Sequence, residues 1–154
     1  MIPAVLPTYA RNDLTFERGE GAYLFATNGK KYLDFASGVA VTALGHCHPR
    51  LIEAVTAQAQ KLWHVSNLFQ IPGQQKLAER LVANSFADTV FFNNSGAEAV
   101  ELSLKVARKY QSESGHPERY RVIGCHGSFH GRSFATLAAA GAEGYLKGFG
   151  PREV

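Results

Sequence analysis

The stretch that decides the fold is Thr89-Val-Phe-Phe-Asn-Asn-Ser-Gly-Ala-Glu98, which continues as a helical pattern to Tyr110. Thr89 to Phe92 is a short β-branched and aromatic run, typical of a buried strand. Ala97 to Tyr110 is long enough for a crossover helix, and Tyr120 to Gly124 is a second strand-like run. A strand, a helix and another strand in this order predict a parallel α/β sheet.

The residues before this unit form a different layer. Ile2 to Glu20 contains Pro3 and Pro7 and few periodic apolar residues, which indicates an extended arm. Ala22 to Phe35 contains two short strand-like runs around Asn28-Gly29. Because Asn and Gly tolerate the positive φ of a tight turn, this pattern predicts a β-hairpin.

Two helices should follow the hairpin. Residues 49–63 begin with a proline suited to a first turn and have apolar residues at helical spacing, and Leu77 to Val82 marks a second helix. Between hairpin and helix, Ala36 to Gly45 is small and apolar, which suits either close packing or a ligand-facing loop. With only two candidate strands for the parallel sheet, the chain is expected to begin an α/β fold that it does not finish.

Composition excludes several classes of protein. The net charge of +3 is spread along the chain, without the basic patch or aromatic-interleaved stripe of a nucleic-acid-binding protein. Two cysteines are too few for a disulfide framework and fit a reducing compartment. No signal peptide pattern and no apolar run of about 20 residues occurs, so a soluble cytoplasmic protein is expected, without membrane or nucleic-acid partners.

Ser95 and Glu98 form an S-x-x-E capping box at the start of the predicted crossover helix. One interpretation is a well-capped helix and nothing more. The other is a phosphate-binding turn, since Gly96 permits close backbone approach and the free N–H groups and the helix dipole favour an anion. The chain has neither a Walker loop nor a G-x-G-x-x-G fingerprint, so a nucleotide held in either of those modes is not expected.

A second loop, Gly127-Ser-Phe-His-Gly-Arg132, follows the second predicted strand. At the carboxyl end of a parallel strand it would face the same crevice as the first loop. Phe129 could stack on a flat ring there, and Arg132 could hold a carboxylate with its guanidinium fork. Alternatively, Phe129 belongs to the core and Arg132 forms a surface ion pair.

His46, Cys47 and His48 raise the possibility of a metal site. Structural zinc sites usually have four ligands with C-x₂₋₄-C or H-x₃₋₅-H spacing, which these residues and the distant Cys125-His126 do not reproduce. We therefore expect no metal and a loop that packs against the active site. A small metal-binding protein is the alternative, which metal analysis of the purified chain would test.

Four separated motifs together resemble the class III pyridoxal-phosphate aminotransferases. They are Val39-Ala-Val-Thr-Ala-Leu-Gly-His-Cys-His-Pro49, Leu62-Trp-His-Val-Ser-Asn67, Asn94-Ser-Gly-Ala-Glu-Ala99 and Ser128-Phe-His-Gly-Arg-Ser133. Their order and spacing follow the family over essentially the whole chain. Within the family the similarity is greatest to the acetylornithine aminotransferases.

The resemblance implies the N-terminal part of a type I aminotransferase fold. Residues 1–65 would be an arm, hairpin and helix contributing to the small domain, and residues 66–154 an incomplete first part of the large mixed-sheet domain that binds pyridoxal 5'-phosphate. The implied reaction moves an amino group from N-acetylornithine to 2-oxoglutarate in arginine biosynthesis, in a homodimer. The alternative within the family is a related aminotransferase that acts on succinylornithine, N-succinyl-diaminopimelate or 4-aminobutyrate.

The resemblance also implies roles at the cofactor. The Gly96 and Ala97 amides, with Ser95 nearby, would hold its phosphate, and Phe129 would stack on the pyridine ring. Many relatives have threonine at position 97. Since alanine keeps the backbone N–H but lacks the hydroxyl, weaker phosphate binding is expected here.

At the substrate, the resemblance implies that Arg132 binds the α-carboxylate and that Tyr9 lines the entrance. Ornithine δ-aminotransferases have a tyrosine where this chain has Val39, which makes free ornithine a less favoured substrate. These roles, like those at the cofactor, are carried over by position in the matching motifs.

The family's catalytic lysine and the aspartate at the pyridine nitrogen lie far downstream, so the resemblance implies that both fall beyond Val154. Lys105 and Lys109 lie late in a predicted helix, where a cation complements the dipole. No catalytic residue is therefore assigned, and the chain alone is expected to be inactive. The alternative from a different class is a non-catalytic fragment or interaction module.

Overall fold

The computed structural model describes residues 3–141 and 143–150. The chain divides into two compact units, Met1–Ile71 and Pro72–Val154. Ile2, at the start of the predicted arm, and Val154, at the end of the predicted large domain, lie outside the described residues. The assignment of residues 1–65 to a small domain and 66–154 to a large one stays a prediction.

The first unit contains a three-stranded antiparallel sheet. Strands β1 (Phe16–Glu20), β2 (Tyr23–Ala26) and β3 (Lys31–Leu33) lie in sequence order. The prediction of an extended arm up to residue 20 was therefore wrong for β1, which pairs with β2. Cross-strand contacts hold it there, since the Arg18 guanidinium lies 3.6 Å from the centroid of the Phe25 ring.

The predicted hairpin between β2 and β3 is confirmed. Gly29 has φ +80, and its N–H donates to the Ala26 carbonyl at 2.9 Å. The Asn28 side chain accepts a hydrogen bond from the Lys30 N–H at 3.1 Å. An Asn-Gly pair thus closes the turn by a positive φ and a local side-chain bond, as the sequence predicts.

Asp34, just after β3, organises the following loop. Its carboxylate accepts hydrogen bonds from the N–H groups of Ala36 at 3.0 Å and Ser37 at 2.9 Å, and it pairs with His46 Nε2 at 2.8 Å. The hydrogen bond from His46 and then that from the Ser37 N–H hold the pKa of the Asp34 carboxyl below its usual value. The Asp34 carboxylate therefore binds the first residues of the 36–45 loop and also the residue that follows its end.

That loop contains a single turn, α1 (Ser37–Ala40), with left-handed backbone angles. The φ values are +48 at Ser37, +63 at Val39 and +66 at Ala40, which only glycine adopts readily. Val39 is 94% exposed, so the side chains of this turn are not closely packed within their own unit. Close packing is therefore not seen within this unit, and the ligand-facing loop stays a prediction.

Two helices follow, α2 (Pro49–Ala59) and α3 (Pro72–Ala83). Both predicted helices are present, but α2 ends four residues before the predicted end at residue 63. Its end is closed by backbone and side-chain donors together: the Lys61 N–H donates to the Gln58 carbonyl at 3.0 Å, and the Trp63 indole N–H donates to the Ala59 carbonyl at 2.6 Å. None of the described helices is long and apolar enough to cross a membrane.

The second unit is built on α4 (Gly96–Glu113), followed by α5 (Phe134–Ala140) and α6 (Glu143–Leu146). The predicted helix in 97–110 is confirmed, whereas the predicted strands at 89–92 and 120–124 are not formed as strands. A strand needs a ladder partner, and neither segment is paired among the described residues. The second segment is held to the helix, since Arg108 Nε donates to the Tyr120 carbonyl at 3.0 Å.

Candidate active site

The candidate site lies in the second unit and begins at the first turn of α4. Ser95 is the N-cap, with φ −149 and ψ 163, and its Oγ accepts a hydrogen bond from the Glu98 N–H at 3.2 Å. The Glu98 carboxylate in turn accepts from the Asn94 N–H at 2.7 Å. The predicted cap is confirmed, with the return bond made one residue before the N-cap.

The cap leaves Gly96 and Ala97 with free N–H groups. They are the first two residues of α4 and have no intrahelical acceptor, and none is found for them elsewhere in the described chain. Gly96 also has open space at its Cα, because a Cβ built on it would meet no heavy atom within 4 Å. Two unpaired donors at the positive end of an 18-residue helix form a suitable position for an anion.

Ser128 positions the second predicted loop. Its Oγ lies 2.8 Å from the Cys125 carbonyl and 3.2 Å from the carbonyl of Ala140 at the end of α5. The next residue, Phe129, is 65% exposed, so the prediction that it belongs to the core does not hold within this unit. The loop therefore presents an aromatic ring on its surface.

Arg132 and Phe129 point to the same side of this loop. The Arg132 guanidinium carbon lies 5.7 Å from the centroid of the Phe129 ring and 5.6 Å from that of Tyr145. The contact with Tyr145 was not predicted, because an isolated aromatic 13 residues further along the chain carries no local signal. Two rings near the guanidinium favour its positive charge at this place.

Gly131 brings the two loops together. Its φ is +121, and a Cβ built on it would lie 2.7 Å from the Ala97 Cβ and 3.0 Å from Thr136 Oγ1. The backbone of the second loop thus packs directly on the first turn of α4. The two predicted loops are neighbours, although the described residues 89–92 and 120–124, from which that was inferred, do not form strands.

A polar contact continues this packing along α4. Ser133, the N-cap of α5, donates from its Oγ to Glu101 Oε1 at 2.6 Å. Thr136 is fully buried next to it and donates to the Ser133 carbonyl at 2.9 Å. Sequence reasoning missed all three residues, since the two ends of the bond to Glu101 are 32 positions apart.

Tyr9 lies in the first unit, whereas the other predicted site residues lie in the second. Its side chain is 57% exposed. The role of Tyr9 at a substrate entrance stays a prediction.

The 46–48 segment contains two histidines whose surroundings the structure describes. His46 pairs with Asp34, and no group of three His, Cys, Asp or Glu side chains that could hold a metal ion occurs among residues 3–141 and 143–150. Within the same described part of the chain, His48 Nδ1 is the one buried side-chain polar atom without a hydrogen-bond partner.

Comparison with known proteins identifies the family. Residues 7–153 match the family described as aminotransferase class-III. The chain belongs to the class-III aminotransferases. Acetylornithine aminotransferase of Agrobacterium fabrum is 59% identical over 145 residues, which are 94% of this class-III chain and 36% of that protein. Acetylornithine aminotransferase 1 of Bradyrhizobium diazoefficiens is 62% identical over 149 residues, 97% of this chain and 37% of that protein.

Solved structures show the same fold. The ornithine aminotransferase of Toxoplasma gondii superposes with a TM-score of 0.90 at 32% identity, covering 96% of this class-III chain and 35% of its own. An (S)-enantioselective omega-transaminase of Thermomicrobium roseum gives 0.86 at 33% identity, covering 93% and 33%. The chain thus has the fold of an N-terminal part of these transaminases and spans little more than a third of the length of its relatives.

Class-III aminotransferases depend on pyridoxal phosphate, and the Toxoplasma ornithine aminotransferase is described with partial occupancy of it at the active site. The second unit of this class-III chain fits parts of that group. Gly96 and Ala97 offer free N–H groups, Gly96 has open space at its Cα, and Phe129 offers an exposed ring. A phosphate dianion and a flat aromatic ring need donors and a surface of these two kinds.

Proposed function

We propose that this chain supplies cofactor and substrate contacts of an aminotransferase that moves an amino group from N-acetylornithine to 2-oxoglutarate, in arginine biosynthesis. The contact of Gly131 with Ala97 carries the proposal, because it sets the loop of Phe129 and Arg132 beside the anion-binding turn of α4. The choice of substrate rests on the similarity to the acetylornithine aminotransferases. We also propose that the complete protein is a cytoplasmic homodimer.

In this proposal the first turn of α4 holds the cofactor phosphate. The N–H groups of Gly96 and Ala97 donate to it, and the helix dipole adds favourable charge. The Ser95 hydroxyl accepts a hydrogen bond from the Glu98 N–H, which stabilises the conformation of this turn. Position 97 provides only its backbone N–H, since alanine has no hydroxyl to add.

Phe129 contacts the cofactor ring, and Arg132 contacts the substrate. The exposed Phe129 ring stacks on the pyridine, and Arg132 receives the α-carboxylate through two parallel N–H donors. The contact between the Ser128 hydroxyl and the Ala140 carbonyl holds the loop from which Phe129 projects. Tyr9 lines the substrate entrance.

When bound, pyridoxal phosphate supplies the electron sink of transamination. The residues of this chain bind and orient the cofactor and the substrate. We place the lysine that carries the cofactor and the aspartate at its pyridine nitrogen outside residues 1–154, following the resemblance to the family.

The substrate assignment is tested with the complete polypeptide that contains these residues. Formation of glutamate from 2-oxoglutarate is measured with N-acetylornithine, succinylornithine, N-succinyl-diaminopimelate, 4-aminobutyrate and ornithine. We expect the highest kcat/KM with N-acetylornithine. Higher efficiency with another donor would reassign the substrate within the family, and no glutamate with any donor would overturn the proposed function.

Replacement of Phe129 by alanine should weaken cofactor binding. Aromatic stacking contributes about 0.5–1.5 kcal/mol, so the Kd for pyridoxal phosphate should rise about two- to tenfold. The measurement is titration of the cofactor-free complete protein, followed by the visible absorbance of the bound cofactor. Phe129→Tyr keeps the ring and is the matched control. Equal affinities of all three proteins would contradict stacking.

Replacement of Arg132 by lysine should impair substrate use although the charge is kept. Loss of one charge-assisted hydrogen bond costs about 1.5–3 kcal/mol, so kcat/KM for N-acetylornithine should fall at least about tenfold. Arg80→Lys, on the exposed last turn of α3, is the control and should change little. If lysine at position 132 serves as well as arginine, Arg132 does not bind the carboxylate.

A further inference from the structure

We propose that Glu101 is a positioning residue for Arg132. Through the hydroxyl of Ser133, its carboxylate fixes the loop that carries the arginine against α4. This inference rests on the proposed function, because it assigns a partner to the residue that is proposed to bind the substrate carboxylate. Glu101 itself does not touch substrate or cofactor in this account.

Ser133 and Glu101 form a strong hydrogen bond. Ser133 directly follows Arg132 in the chain, and its Oγ lies 2.6 Å from Glu101 Oε1. This separation is within the range of O–H···O⁻ hydrogen bonds, which are about twice as strong as bonds between neutral groups. The position of the Arg132 backbone is therefore coupled to that of a carboxylate on another helix.

The hydroxyl protons of Ser133 and Thr136 have different acceptors. Ser133 Oγ is also 3.1 Å from Thr136 Oγ1, and Thr136 Oγ1 donates to the Ser133 carbonyl at 2.9 Å. A hydroxyl has one proton, so Ser133 directs its proton to Glu101 and leaves the Thr136 proton to the carbonyl. Position 101 must therefore offer an acceptor. Glutamine offers one and alanine does not.

The residues on both sides of Arg132 contact the same face of α4. Gly131 packs on Ala97, and Ser133 binds Glu101, so the two residues flanking Arg132 both contact the helix. Positions 97 and 101 are four residues apart and share one face of α4. The first turn of α4 is proposed to hold the phosphate. The same face of this helix thus also fixes the backbone from which the Arg132 side chain projects.

The competing account gives Glu101 a purely structural role at the N-terminus of α5, where a carboxylate complements the dipole. That role would change thermal stability without changing the discrimination for a substrate carboxylate. The two accounts are separated by comparing N-acetylornithine with N-acetylputrescine, the same molecule without its carboxylate.

The experiment uses the complete polypeptide with Glu101→Ala, Glu101→Gln, Ser133→Ala and the double alanine variant. We expect Glu101→Ala and Ser133→Ala each to lower the ratio of kcat/KM for N-acetylornithine over N-acetylputrescine about tenfold, mainly through KM for the former. The double variant should be no worse than either single one. Glu101→Gln should retain most of the ratio.

A second measurement needs neither cofactor nor activity. Amide hydrogen exchange of residues 129–133 in the cofactor-free protein should be faster in Glu101→Ala and in Ser133→Ala, and close to wild type in Glu101→Gln. If the Glu101→Ala variant does not fold, the substrate ratio and the hydrogen exchange are both measured on Ser133→Ala.

Unchanged substrate ratios with unchanged exchange overturn the inference, as does a change in thermal stability alone. If the wild-type protein transaminates no donor, the proposed function fails. In that case the exchange measurement still decides whether Glu101 holds the loop.

Discussion

A polypeptide of residues 1–154, supplied with pyridoxal phosphate and N-acetylornithine, should form no glutamate from 2-oxoglutarate. The reason is chemical as well as structural. The described part of the chain provides donors for a phosphate, a ring for stacking and a guanidinium. We propose that the lysine that carries the cofactor lies outside these residues, so binding groups would be present without the group that transfers protons.

The structural reason is exposed apolar surface. Large apolar side chains of the described residues are exposed, including Phe35 at 90%, Trp63 at 88% and Ile123 at 98%. Such a surface promotes association, so the isolated polypeptide should aggregate or depend on a partner chain.

The test combines three measurements on the purified 154-residue polypeptide. They are glutamate formation, borohydride fixation of cofactor followed by peptide mapping, and light scattering after size exclusion. The complete polypeptide, treated identically, is the control. A soluble monomer that turns over N-acetylornithine and fixes the cofactor at one lysine would contradict both the placement of that lysine and the expected association.

In the complete polypeptide, Gly131→Ala should strongly weaken both cofactor binding and catalysis. A Cβ at this position would lie 2.7 Å from the Ala97 Cβ, and the φ of +121 is unfavourable for alanine. Overpacking costs about 1–3 kcal/mol and the strained backbone about 1–3 kcal/mol more. The loop must move away from α4, which should raise the Kd for pyridoxal phosphate and lower kcat/KM, each at least about tenfold.

Gly127→Ala is a matched control within the same loop. Gly127 also has a positive φ, +77, but a Cβ there meets no heavy atom within 4 Å. This variant therefore carries backbone strain without the steric conflict. Cofactor affinity and kcat/KM of the two variants are compared with wild type, together with the thermal midpoint. Equal effects would show that strain alone matters and that the contact between Gly131 and Ala97 does not hold the site together.

Sequence reasoning was most successful where the signal is local. The turn at Asn28-Gly29 and the cap at Ser95 are both present, because a positive φ or a side-chain oxygen acts on neighbours within three residues. Helix α4 follows from the same cap and from apolar spacing along one face. These features need no information about the rest of the fold.

Prediction failed where a partner is needed. Residues 89–92 and 120–124 have the composition of strands but form none, since a ladder requires a neighbour that the described chain does not supply. Conversely, β1 was missed because its pairing depends on cross-strand contacts such as that of Arg18 with Phe25. Composition indicates which residues suit a strand, and pairing decides whether they become one.

The sequence by itself determined the family, through motifs whose order and spacing match it, and nominated Ser95, Gly96, Ala97, Phe129 and Arg132. The tertiary structure alone decided what surrounds them: Gly131 packed on Ala97, Tyr145 beside Arg132, and Ser133 bound to Glu101. The physical reason is range. Caps, turns and helical spacing are short-range and can be inferred along the chain, whereas packing and hydrogen bonds between residues 13 to 34 positions apart exist only once helices and loops have met.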